Sequence, residues 1–394
     1  MQYKKVLLCF FSFIFFLLVF PHFSYATEFG TQIDSNYPDK IPNLQQLQQL
    51  NPAWIRTGDN TPIIFSPEWP SSIKLLIGVN GESARSAPAA NTQDFNTWKT
   101  YIDTKYIPYI QNMLKQHPNI PAIEIWNEED VCATGFCPYV PPNAYSYMLT
   151  QSTATIKSMN PGIKVIMGGL GSGQRQYLRD VMNSNPAGFQ KIDAVGMHPY
   201  GGSPDGWCAA GCSGGQLPFG DLAQGVTEYK QISGKPVWVT EIGTNSSDKA
   251  WQAEYLTRSF TVLQRIQVPV AIWFSWSDIM VPGFGLMDGQ KNMKPSGYAF
   301  RKFNPQPTPA IGTALLLSPT KPPPQVTFYC LGMGSSDSGS CLSPLPSKLT
   351  PAIVPSTIIN KSVTGIGLDG TMFIGFGIVL VSFLLSLAFM SQRK

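Results

Sequence analysis

Between residues 27 and 304 the chain alternates two kinds of apolar pattern. Short runs of β-branched and aromatic residues, nearly unbroken by polar ones, recur at 27–33, 53–57, 73–79, 122–127, 163–168, 192–197, 236–241 and 270–276. Such runs predict parallel strands covered on both faces. Between them lie segments with apolar residues at helical spacing, as at 92–116 and 248–266. Eight strand-then-helix units over this length predict a (β/α)8 TIM barrel, in the α/β class. An open doubly wound sheet is the alternative, but no glycine-rich phosphate turn follows the first run.

The pattern changes at both ends. Residues 1–26 combine Lys4 and Lys5, an apolar stretch at 6–20 and Ser24-Tyr25-Ala26. That order predicts a secretory signal peptide; a membrane anchor is the alternative, for which the apolar stretch is short. Residues 305–370 are rich in proline, serine and threonine, which predicts a semi-extended linker. Residues 371–390 carry no charge and are long enough for one transmembrane helix, followed by a basic tail at 391–394. Arg393 and Lys394 place that tail in the cytoplasm and the barrel outside, anchored at the cell surface. A lipid-anchor signal is the alternative, and the basic tail argues against it.

Charge and cysteine then narrow the field. The formal net charge of +4 comes from Lys4, Lys5, Arg393 and Lys394, so the working domain is neutral and nothing points to nucleic acid. Beyond the signal the cysteines form close pairs, Cys132/Cys137, Cys208/Cys212 and Cys330/Cys341. In an exported chain such pairs predict disulfides, with local pairing the simplest of several connectivities. Zinc is the rival, but His198 is the one histidine suitably placed for a site, so neither a metal nor a cofactor is implied. Nothing in the pattern calls for an oligomer, and a monomer is expected.

In a barrel of this kind the reactive groups sit at the C-terminal ends of the strands. There the sequence places Arg56 after strand 2, Asn127 and Glu128 after strand 4, His198 and Tyr200 after strand 6, and Glu241 on strand 7. Strand 8 brings Trp273 and Trp276; residues three apart on a strand face opposite ways, so one faces the mouth, and Trp276, nearer the strand's end, is favoured. Trp207 is a weaker aromatic candidate. Two carboxylates at facing strand ends suit glycosidic bond cleavage, where one must be protonated and the other ionised. Arg56 is placed to hold one of them ionised, which drives the two pKa values apart. Glu129 and Asp130 follow the first carboxylate and are expected on a solvated rim.

The stretches "IEIWNEED" and "KPVWVTEIG", with "GMHPYGG" and "VAIWFSWSD", resemble glycoside hydrolase clan A, the retaining (β/α)8 glycosidases, and within it families 39 and 5. The likeness covers nearly all of residues 27–304. It implies Glu128 as general acid/base, Glu241 as nucleophile and Asn127 as the partner of the sugar 2-hydroxyl. It also implies that Arg56 and Tyr200 orient Glu241, that His198 lines the cleft and that Trp276 floors the reacting subsite. The chain departs from the pattern after Glu128, where many relatives have proline and this one has Glu129-Asp130. The resemblance therefore implies a retaining β-glycosidase acting on an extracellular polysaccharide or oligosaccharide. A non-catalytic surface carbohydrate-binding protein and a transglycosylase are the alternatives.

Overall fold

The computed structural model describes residues 26–33, 41–89, 92–133, 136–207 and 219–304. The expected signal peptide, linker, transmembrane helix and tail, and the pairs Cys208/Cys212 and Cys330/Cys341, lie outside the described residues. Among the described residues no helix is long and apolar enough to cross a membrane.

Eight parallel strands close on themselves in sequence order as a barrel. They are β1 Glu28–Gln32, β2 Trp54–Gly58, β3 Lys74–Val79, β4 Ala122–Ile125, β5 Lys164–Leu170, β6 Ala194–Met197, β7 Val237–Ile242 and β8 Val270–Trp273. The helices packed outside are α1 Leu44–Leu50, α2 Phe95–Tyr101, α3 Ile107–Gln116, α4 Pro142–Met159, α5 Arg175–Ser184, α6 Leu222–Ser233, α7 Lys249–Arg265 and α8 Pro295–Phe303. The single helix expected at 92–116 is two, α2 and α3, joined by a π-helical turn at Ile102–Tyr106. Side-chain caps set where several helices start. Asp221 accepts from the backbone N–H of Ala223 and Gln224, and Asp248 from those of Ala250 and Trp251.

Strand alternation divides the core in two. Trp54, Leu76, Ala122, Ile166, Ala194, Trp238, Val270 and Ile272 pack together inside the barrel. Their neighbours along the strands, such as Ile55, Ile123, Val195, Val239 and Trp273, join the larger cluster beneath the helices. The interior cluster fills the lower half of the barrel. Trp54 and Trp238 meet edge to face, and Glu28 accepts from the Trp54 indole and from Lys74 at the bottom rim. The described strands therefore leave no passage through the barrel.

Two residues further up, the period of two brings Arg56 and Glu124 inward, above Trp54 and Ala122. A register shift between Val239 and Ile242 breaks the alternation on β7. As a result Thr240 and Glu241, although adjacent, both make hydrogen bonds with groups at the top of the barrel. The polar site is stacked on an apolar floor.

Candidate active site

Arg56 is the centre of the site and is 5 % exposed. Its Nε donates to Glu124 Oε2 at 2.5 Å, and its Nη1 donates both to Gln32 Oε1 at 2.7 Å and to Glu241 Oε1. Nη2 donates to Asn127 Oδ1 at 2.7 Å. Burial alone would make the guanidinium easier to deprotonate, but Glu124 and Glu241 more than offset this and hold it charged. Glu241 takes a second hydrogen bond from the Tyr200 hydroxyl. Burial pushes its carboxyl up, yet His198, Arg56 and Tyr200 together bring it below the usual glutamate range.

Glu128 has the opposite balance. It follows β4 with its backbone in the left-handed region, as does Trp126, uncommon for residues other than glycine. Its carboxyl is pushed up, first by burial and then by Glu241 and Asp130, against a lowering by His198. The imidazole of His198 is fully buried between the acids, with Nδ1 3.0 Å from Glu128 Oε1 and Nε2 3.1 Å from Thr240 Oγ1. Burial disfavours its charged form, but Glu241 and Glu128 outweigh that and raise it. One donor atom from each of Glu128, His198 and Glu241 lies within 4.8 Å of the others. The His198–Glu128 hydrogen bond and the Arg56–Glu241 ion pair link these groups to one another and to Arg56.

A cavity of about 630 Å³ opens beside these groups. Arg56, Asn127 and Glu241 line it, together with Asp59, Asn80, Arg85 and Tyr109. Its aromatic walls are Trp126, Tyr109 and Phe274. Polar groups converging beside aromatic faces suit a sugar, which offers hydroxyls at its rim and C–H on its faces.

The structure thus brings Arg56, Asn127, Glu128, His198, Tyr200 and Glu241 together. Trp276 is fully buried and is not among the residues lining the cavity. Trp273 faces the helices and donates to Phe284 O, while Phe274 between them lines the cavity. Trp207 stacks on Trp251 of α7 and is not among the residues lining the cavity. Glu129 and Asp130, expected on a solvated rim, are 0 % and 6 % exposed. Glu124 and Gln32 are additions. The signal for Glu124 was a lone acid inside an apolar strand, in phase with the interior Ala122 and matched by Arg56 on a second strand.

Residues 91–300 match the family model for the glycosyl hydrolase catalytic core. The chain belongs to that family. Solved structures similar to this glycosyl hydrolase core include three glycosidases. A glucosidase from Croceicoccus marinus aligns with a TM-score of 0.51 at 13% identity, over 71% of this chain and 67% of that one. A monomeric β-xylosidase from Caulobacter crescentus gives 0.48 at 17% identity, over 72% and 70%. A β-D-glucuronidase from Dictyoglomus thermophilum gives 0.45 at 13% identity, over 72% of this chain and about half, 51%, of its own. No curated protein sequence matches significantly.

Proposed function

We propose that this protein is a retaining β-glycosidase of the clan A type, acting outside the cell on a polysaccharide or oligosaccharide. The observation that carries the reading is the opposed state of two facing carboxyls. Glu241 is held ionised by Arg56 and Tyr200, while Glu128 resists ionisation. Their oxygens approach within 4.8 Å, which supports the closer of the two carboxyl spacings, about 5–5.5 Å for retention against about 6.5–9.5 Å for inversion.

In the first step Glu241 attacks the anomeric carbon and the glycosidic C–O bond breaks, with Glu128 giving its proton to the departing oxygen. In the second, Glu128 takes a proton from water as that water attacks the same carbon, and the ester bond to Glu241 breaks. Two inversions restore the β configuration. Asn127, held by Arg56, is positioned for the sugar 2-hydroxyl, where a hydrogen bond strengthens as the oxocarbenium-like state forms. No cofactor enters either step. For the ends of the chain we propose export through the 1–26 signal and anchorage by a helix over 371–390, on the sequence pattern alone.

The test is turnover of aryl β-glucosides, β-xylosides and β-galactosides by the full-length protein. Glu241→Ala is expected to lose about 10⁴-fold or more in kcat. Glu128→Ala should lose roughly 10²–10⁴-fold on poor leaving groups, while on an activated dinitrophenyl glycoside azide should restore turnover and yield a β-glycosyl azide. Turnover that survives Glu241→Ala, or an α-configured first product, sinks this reading.

A further inference from the structure

The departure from the family pattern at Glu129-Asp130 has a structural counterpart. Asp130 Oδ1 accepts from Gly171 N at 2.9 Å, and Oδ2 accepts from Ser172 N at 3.0 Å and from the Ser172 hydroxyl. These three donors favour the ionised form of the carboxyl and work against burial, which pushes it up. The clamped segment is the first stretch beyond β5. It lies directly against the acid: a Cβ on Gly171 would stand 3.1 Å from the Glu128 carboxyl carbon and from its Oε1. Just before it, the end of β5 is tied to the same site, because Glu128 N donates to Gly169 O and His198 N donates to Leu170 O.

Glu129 cannot supply this charge. Burial and the nearby Asp130 push its carboxyl well above the glutamate range, against a weaker lowering by its own backbone N–H and the Tyr145 hydroxyl. The charged and titratable groups facing Glu128 are His198 and Tyr200 just beyond β6, Glu241 of β7, and Asp130. Those facing Asp130 are Glu129, Tyr177 of α5 and Tyr229 of α6. Tyr177 and Tyr229 remain neutral through the working range, since burial raises both.

We propose that Asp130 is a positioning residue for Glu128: it fixes the Gly171–Ser172 backbone as the wall against which the acid rests, and sets a fixed negative charge behind it. The inference rests on the reading of Glu128 as general acid/base. Its effect falls where proton donation matters, on bonds whose departing oxygen is strongly basic. The glycosyl step on an acidic phenol leaving group needs little proton donation and is largely indifferent to it.

The experiment compares kcat/KM on 2,4-dinitrophenyl and phenyl β-glucosides, β-xylosides and β-galactosides for the full-length protein and its variants. Asp130→Ala is expected to lose about 10–100-fold on the phenyl substrate and less than about 3-fold on the dinitrophenyl one. Asp130→Asn keeps an acceptor for the backbone N–H groups and removes the charge. Its basic pH limb should therefore move down by roughly one pH unit, with the plateau below it retained. Gly171→Ala leaves the clamp and displaces the acid, so it should reproduce the leaving-group-dependent loss. It also serves if the Asp130 variants fail to fold. Equal losses on both phenols, or an unmoved basic limb, overturn the proposal. Glu128→Ala with azide separates the two claims. If that variant behaves as an acid/base knockout while Asp130 and Gly171 variants show no leaving-group dependence, the role of Asp130 falls alone.

Discussion

One guanidinium organises the chemistry at the scale of single residues. Arg56 faces two buried acids and two amide oxygens at once, so its removal leaves Glu124 and Glu241 facing each other without a cation. Arg56→Met should cost about 3–5 kcal/mol, read from the urea midpoint at pH 7. The pH dependence of kcat/KM should be a bell, with its acidic limb below the ordinary glutamate value and its basic limb above it, following Glu241 down and Glu128 up. The stability signs differ between groups. Glu241 is depressed on folding, so its contribution is present above the unfolded carboxyl value and lost as pH falls through the folded one. His198 is raised, so its contribution is complete below the unfolded imidazole value and lost as pH rises through the folded one. The residues gathered here were readable because they end strands, where a barrel keeps its reactive groups. Glu124 was not, since a mid-strand acid reads as an interruption until its phase with Ala122 is noticed. The burial of Trp276 and Glu129 depends on how later loops fold over them, and no local pattern carries that.

At the scale of elements, close approach decides more than propensity. The eight strands were legible as unbroken apolar runs, and their ends moved by a few residues at most. What period counting could not carry was the register shifts on β5 and β7, because they arise from pairing with a neighbour. Gly196 marks one tight contact: a Cβ there would lie 2.5 Å from Met167 O and 2.8 Å from Gly169 N, both backbone atoms. Gly196→Ala should therefore destabilise by about 1–3 kcal/mol, seen as a lower melting temperature. Gly169→Ala acts differently, since its Cβ would fall 2.0 Å from His198 Nε2 and push the imidazole out of place. That variant should fold and lose activity mainly through the pH profile, as the His198–Glu128 contact is broken. The π turn between α2 and α3 has no signal in the sequence pattern that we can identify.

Over the whole molecule, an apolar floor and a polar mouth share one barrel. The fold class was legible from alternation and length alone. The Cys132–Cys137 disulfide lies in the loop beyond Glu128, where the expectation of local pairing put it. Removing it by Cys132→Ser with Cys137→Ser should leave the barrel's melting temperature within a few degrees, because the closed loop is short. The plugged floor has a kinetic corollary. Trp54, Trp238 and their neighbours block the axis, so a released sugar must back out through the doorway by which its successor arrives. Freed monosaccharide should then compete with fresh substrate, raising apparent KM and leaving the maximal rate untouched.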